Sequence, residues 1–274
     1  EKFQIGERAM CEVEALAQPI LDRLIEQANL FLNRKVKSKP FSDKKLLYKN
    51  EKEELAFFIA VQYFRTPNRR AIMTDFARMA EKIEINIMLE QDGISLEKDQ
   101  DFDVQLSRES QVANHLLFSL TTAMQAVVPL SNYFWLVSLF DENKLVTSDA
   151  PVIPYLPTQT RLLAQNCLLG KEGEIAFNLC PNMTLVLCDR SLAKGIEKFD
   201  GRCQLISSEA IFTMNALHLQ RSYRYIYSHT NDFEWAKKLL EKNPEWKHPV
   251  LLSFPATHRC QRLRYIPAGP VAKP

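Results

Sequence analysis

Glycine is scarce in this chain, with 7 residues in 274. Phosphate cradles and nucleophile elbows need glycine where backbone turns sharply or approaches a ligand closely. No P-loop, no GxGxxG and no GxSxG occurs. Paired cysteine spacing is also missing. Cys11, Cys167, Cys180, Cys188, Cys203 and Cys260 form no CxxC, which predicts free thiols of a reducing compartment rather than a disulfide framework. There is no HExxH, no Cys/His pair at zinc spacing and no EF-hand loop. Asp101, Asp103, Asp149 and Glu174 are scattered. No spacing argues for a metal, and no motif names a cofactor.

Charge of one sign is lacking too. Thirty-five basic and 33 acidic residues leave a net charge of +2, so there is no global pull toward nucleic acid or an anionic membrane. The longest apolar-rich run, Leu116–Phe140, is interrupted by Ser119, Thr121, Thr122, Gln125, Pro129, Ser131 and Asn132. That is too polar for a bilayer span. With no secretory signal visible, the expectation is a soluble, cytoplasmic protein with no membrane partner. The chain begins without Met and almost directly in a helical pattern, which suggests that the natural chain starts earlier.

The material that is present, 46% hydrophobic and 25% charged, is ample for a core. The stretch Leu55–Arg70, LAFFIAVQYFRTPNRR, organises the rest. It starts as a helix apolar on nearly every side, a pattern that predicts burial. Gln62 and Arg65 travel with it, and a buried guanidinium needs an anionic partner. Before it, residues 7–31 carry an apolar stripe at helical period, with Pro19 expected to kink or divide the helix. Residues 33–50 read as an exposed connection, with Ser42-Asp43 as a possible cap for a short helix. After it, residues 68–88 and 110–128 are again helical, separated by an acidic loop.

The period changes near Asn132. Residues 133–140 and 144–147 read as a hairpin turning at Asp141-Glu142-Asn143, and residues 174–179 and 184–187 as a second hairpin around Pro181-Asn182. Helices are expected from Glu209 to about Ser228 and over 232–241, and late strands over 249–254 and 263–266. Helices before residue 130 and strands after it make an α+β fold, with a helical N-terminal half packed on a small, mainly antiparallel sheet from the C-terminal half. No Pro/Gly/Ser-rich linker separates the halves, so one domain is expected.

Four local patterns occur in one order. They are a paired-Glu helix (Glu7, Glu14), a Gln-x-x-Arg-Thr-Pro-x-x-Arg run (Gln62, Arg65, Thr66, Pro67, Arg70), a Thr-Ser-Asp-x-Pro-Val turn (Thr147–Val152), and an Asn followed by an aromatic-rich helix (Asn215 to Tyr227). This order resembles the family catalogued as domain of unknown function 4238, over most of the chain. Its usual opening, His-x-Ile/Val-Pro and then Tyr-Leu-x-x-Phe, has no equivalent before Glu7. Its Ser-Asp turn usually carries Asn where this chain has Ala150. The resemblance implies a family and no reaction.

Chemistry therefore comes from the residues. Arg65 and Asp149 are the first candidate pair: a cleft clamping a phosphate or carboxylate bidentately, or one internal salt bridge pinning helices to sheet. Gln62, Ser148 and Asn215 are candidate ligand contacts beside them. Arg69 and Arg70, with Lys44, Lys45 and Lys49, form a possible basic patch, against the plainer reading of solvated helix ends. His115 is a candidate general base, against the plainer reading, in its helical apolar context, of a hydrogen-bonded core histidine, and His218 has the same ambiguity. Arg224 and His229 have the Arg-x4-His spacing found in HEPN-type ribonucleases, although Tyr225 stands where such sites carry a polar residue.

Three functions remain open. One is an effector enzyme, of hydrolase type, acting on a phosphorylated or nucleic-acid substrate with Arg65, Arg70 and Asp149 in one cleft. Another is a non-catalytic module holding an anion or a partner segment. The third is a structural protein in which these residues only tie helices to sheet.

Overall fold

The computed structural model describes residues 2–33, 40–94, 102–155, 168 and 173–247, with backbone alone for 2–7, 250–252 and 265–267. The first element is α1 (Lys2–Asn33), which runs through Pro19 without being divided. Its stripe Val13, Ala17, Ile20, Leu24 and Ala28 is buried in the main core. That packing outweighs the one backbone bond proline removes.

Helix α2 (Lys49–Phe64) lies at the centre, as its all-round apolarity predicts. Leu55, Ala56, Ile59, Ala60 and Val61 have no exposed surface. Its start is fixed by Glu51, whose carboxylate accepts the Tyr48 N–H at 2.9 Å and holds Arg23 at 2.6 Å. Thr66-Pro67 then ends it and begins α3 (Pro67–Gln91). Helix α3 is amphipathic in sequence but has no buried residue; Phe76, Ile83 and Ile87 are about half exposed. Helix α4 (Arg108–Ser131), capped by the Ser107 hydroxyl on the Ser110 N–H at 3.1 Å, packs closely on α2.

The sheet has six strands: β1 (Phe41–Lys45), β2 (Phe134–Leu139), β4 (Val152–Tyr155), β5 (Glu174–Cys180), β6 (Met183–Cys188) and β7 (Arg202–Leu205). Its order is β1-β7-β2-β6-β5-β4, antiparallel except for the β2–β7 pair. Along β2, Trp135, Val137 and Leu139 face the helices, while Phe134 and Leu136 pack with Ala193 and Cys188 on the other face. Both faces are covered, which is why the strand reads as an apolar run broken only at the buried Ser138.

The fold is thus α+β, with the N-terminal helices on a mostly antiparallel sheet. Three expectations change. The supposed exposed connection contains β1, an edge strand whose Ser42 hydroxyl accepts the Cys203 N–H at 3.0 Å. The first hairpin does not form. Strand β2 pairs with β6 and β7, and β3 (Thr147–Ser148) pairs instead with β8 (Ile226–Tyr227), while between them the Phe140 and Leu145 N–H groups donate to the Asn182 and Pro181 oxygens of the β5–β6 turn at 2.9 and 2.8 Å. Helix α5 (Glu209–Arg221) stops before the aromatic stretch. The second hairpin, β5–β6, forms as expected around Pro181-Asn182. Helix α6 (Glu234–Lys242) and a separate pair, β9 (Val250–Leu252) with β10 (Tyr265–Pro267), complete the elements.

The ion pair pinning α2 to the sheet layer is one the sequence did not suggest. Lys52, 3% exposed, meets Asp200 at 2.5 Å. The same Asp200 oxygen accepts the Trp135 N–H at 2.9 Å. Burial pushes the Asp200 carboxyl up, but Lys52, the Trp135 N–H and Arg190 together hold it below its ordinary range. Gly201 follows with φ 77°, and a Cβ there would come within 2.5 Å of the Leu47 oxygen. Only glycine fits this approach. Cys11, Cys180, Cys188 and Cys203 are free thiols, and Cys167 and Cys260 lie outside the described residues. No helix among the described residues is long and apolar enough to cross a membrane.

Candidate functional site

The candidate residues fall into two groups. The first gathers at the corner where α2 ends and α3 begins. Gln62 is buried there, 5% exposed. Arg65, the C-cap of α2, donates from its Nη1 to Glu14 of α1 at 2.9 Å, with 39% and 48% of the two side chains exposed. Its partner is therefore Glu14, not Asp149. Helix α1 lies beside α2, and the Ser148-Asp149 turn is occupied elsewhere. Glu14 belongs to the paired-Glu pattern; the side chain of Glu7 lies outside the described residues.

Thr66 does not cap α3 with its side chain. Its hydroxyl donates to the Tyr63 oxygen at 3.1 Å. Arg69 hydrogen-bonds the Tyr63 hydroxyl and sits over that ring at 4.3 Å, while Arg70 is exposed. The Asn68 Oδ1 is buried without a partner among the described residues.

From α4, His115 enters this corner. It is 7% exposed, and neither ring nitrogen has a hydrogen-bond partner among the described residues. Burial first, and then the Arg70 charge, push its pKa down to about 4. The Arg65 backbone oxygen weighs weakly the other way, though it lies outside good hydrogen-bond geometry. His115 is thus neutral near pH 7. One turn along α4, the Ser119 hydroxyl donates to the Phe64 oxygen at 3.3 Å, fixing this face of α4 on the end of α2.

The basic patch does not assemble. Lys44 and Lys45 lie on β1 and Lys49 opens α2, while Arg69 and Arg70 lie beyond the far end of α2, which is about 24 Å long.

The second group surrounds the Ser148-Asp149 turn. The Asp149 carboxylate accepts the backbone N–H groups of Tyr223, Arg224 and Tyr225 at 2.8, 2.7 and 3.3 Å. It is a loop organiser, and this explains its absence from the Arg65 corner. Ser148 is 4% exposed; its hydroxyl donates to the Ala150 oxygen at 2.9 Å and lies 3.4 Å from the His218 Nδ1. Asn215 is spent on backbone, its Oδ1 accepting the Val146 N–H at 3.0 Å and its Nδ2 donating to the Lys144 oxygen at 2.8 Å.

His218 is 1% exposed with its Nε2 unpartnered among the described residues, and burial pushes its pKa down to about 4. Arg221, at the next turn, is partly buried with its Nε enclosed and unpartnered among the described residues, and burial lowers its pKa as well. The sequence reading missed Arg221, although Asn215, His218 and Arg221 repeat every three residues on one helix face, which was the available signal. Arg224 lies over the Tyr223 ring at 5.3 Å, and His229 is exposed beyond β8, so strand pairing rather than a ribonuclease-like pair occupies that spacing. No three His, Cys, Asp or Glu residues among those described are grouped as metal ligands.

With this geometry in place, comparison with known proteins gives one result. The family described as protein of unknown function (DUF4238) matches residues 2–232. The chain belongs to that family. No curated protein and no solved structure matches it.

Proposed function

We propose that this DUF4238 member binds a phosphorylated ligand at the corner between α2 and α3. The observation carrying this reading is His115, which is buried and neutral, with both ring nitrogens unpartnered among the described residues. A buried polar group without a partner costs roughly 1–3 kcal/mol, a cost a bound anion offsets. The surroundings suit an anion. Arg70 is exposed beside His115, and Arg65 is partly exposed. The first turn of α3 brings N–H groups that helix geometry leaves without intrahelical acceptors. Gln62 and Arg69 line the corner as supports.

A titration with inorganic phosphate, followed by NMR of the His115 ring, tests this. Saturable shifts are expected, with Arg70→Ala weakening binding by about tenfold, the worth of one charge-assisted hydrogen bond. No shift at His115, or shifts indifferent to Arg70→Ala, would exclude the site.

A second reading, an effector enzyme acting on a phosphorylated or nucleic-acid substrate, is favoured by the same ring. The ring is unprotonated at neutral pH, and a bound phosphoryl group beside it would raise its low basicity toward the range in which a histidine accepts a proton. In this reading Arg65 and Arg70 steady the phosphoryl oxygens and Asp149 has no part. Phosphate release that disappears in His115→Gln while phosphate binding survives would select it.

A further inference from the structure

We infer that the cavity of about 370 Å³ between the end of α5, residues 222–226, α6 and the short turn Pro244–Lys247 is a binding site for a small aromatic anion. Three aromatic residues line it, Tyr223, Phe233 and Trp246, together with three basic ones, Arg224, Lys237 and Lys247. No carboxylate is among the described residues that line it. An open pocket lined by aromatic residues and by cations without a carboxylate suits a flat ligand with a carboxylate or phosphate at its edge. This site is separate from the α2–α3 corner and does not depend on it.

The cavity is built rather than incidental. Asp149 gathers three consecutive N–H groups, those of Tyr223, Arg224 and Tyr225, and so fixes the loop that forms one wall. Arg224 lies over the Tyr223 ring at 5.3 Å, which sets the cation beside the aromatic surface. Lys237 holds Glu234 at 2.6 Å, but both side chains are 67% exposed, and such a surface pair yields readily to a better anion. Helix α5 contributes Leu219 to another wall and ends with the partly buried Arg221, whose Nε is unpartnered among the described residues. The Thr-Ser-Asp turn thus acquires a purpose: it shapes the wall of a pocket.

The test uses the full chain, with calorimetry of AMP and indole-3-acetate against adenosine, indole and inorganic phosphate. At least one aromatic anion is expected to bind saturably, about tenfold more tightly than its neutral counterpart or phosphate, as one charge-assisted hydrogen bond provides. Lys247→Glu and Arg224→Glu, both at exposed positions, should each abolish that preference without altering the circular dichroism spectrum. Arg70→Ala should leave it intact, so failure here and failure at the α2–α3 corner are distinguishable. Three results would overturn the inference. One is no binding of either anion at millimolar concentration, another is equal binding of the neutral compounds, and the last is binding unmoved by both charge reversals.

Discussion

Helix α2 carries a cation at each end, and the protein treats the two differently. At the start, Lys52 is 3% exposed and locked to an Asp200 carboxylate that also holds the Trp135 N–H. At the far end, Arg65 is 39% exposed and meets Glu14 at the surface, close to a histidine whose nitrogens are unpartnered among the described residues. The first end is saturated and dry, and nothing there can exchange for a ligand without breaking the fold. The second is loosely paired and short of donors and acceptors. Saturation marks structure; unmet polar demand marks the place where a ligand can contribute. The proposed site follows from that contrast, and the contrast can be tested from both ends.

The largest effect is expected at the saturated end. Lys52→Ala leaves Asp200, whose side chain is 16% exposed, with only the Trp135 N–H and an Arg190 guanidinium at 3.5 Å. Removing one partner of a buried pair costs about 3–5 kcal/mol. For a chain of this size that lowers Tm by roughly ten degrees. Thermal melts of Lys52→Ala and of the wild type check it. A change of only a degree or two would mean that the pair is not the tie between α2 and the sheet.

Next comes the acid response of the two buried histidines. Both have folded pKa values pushed down to about 4, below the unfolded value of about 6.5. Between those values the unfolded chain binds more protons than the folded one, so stability is full above about pH 6.5 and falls as pH drops toward 4. Each histidine is worth up to about 3 kcal/mol over this window. Melts from pH 7 to pH 4.5 should show the loss, and His218→Gln or His115→Gln should each flatten it. Added phosphate sharpens the comparison, since it should restore the His115 share, where an anion binds, and leave the His218 share unchanged.

A smaller loss separates the two groups of candidate residues. Asp149→Ala removes the acceptor of three backbone N–H groups and should cost about 2 kcal/mol. Asp149→Asn retains one acceptor oxygen and should recover part of it. Neither change should alter phosphate binding at the corner. An effect there would restore the single Arg65–Asp149 cleft that the geometry has divided.

How far the sequence could go is clear from particular residues. The burial of α2, the β5–β6 hairpin and the α+β division are written in apolar periodicity, which local sequence carries directly. The apolarity of α2 was read as carrying Arg65 inward, but Arg65 is 39% exposed at the helix end, and the cation that goes inside is Lys52. Lys52 sits in a Glu51-Lys52-Glu53-Glu54 run that reads as a solvated first turn, and only the close approach at Asp200-Gly201 takes it inside. The partner of Arg65 was likewise missed because pairing depends on which helix lies alongside, a long-range fact. Helix α5 ended early because the Asp149 carboxylate takes the very N–H groups, at residues 223–225, that a longer helix would have used. Side-chain competition for backbone is invisible to periodicity.

The smallest expected effect on stability is the most informative for function. Arg65→Ala breaks an ion pair whose members are 39% and 48% exposed, and exposed pairs contribute about 0–1 kcal/mol. Its Tm should therefore fall by no more than a few degrees, far less than for Lys52→Ala. Binding should behave in the opposite way. Arg65 lies at the C-terminal end of α2, one residue before the Thr66 that leads into α3. Losing it removes a guanidinium from an anion's reach and leaves Glu14 uncompensated beside the site. Both changes disfavour phosphate, so the affinity loss should equal or exceed the roughly tenfold expected for Arg70→Ala. Glu14→Gln is the complementary variant. It frees Arg65 from its partner and should tighten phosphate binding while leaving Tm almost unchanged. If Arg65→Ala instead destabilises the protein as much as Lys52→Ala does, the two ends of α2 are alike. The corner would then be a structural tie.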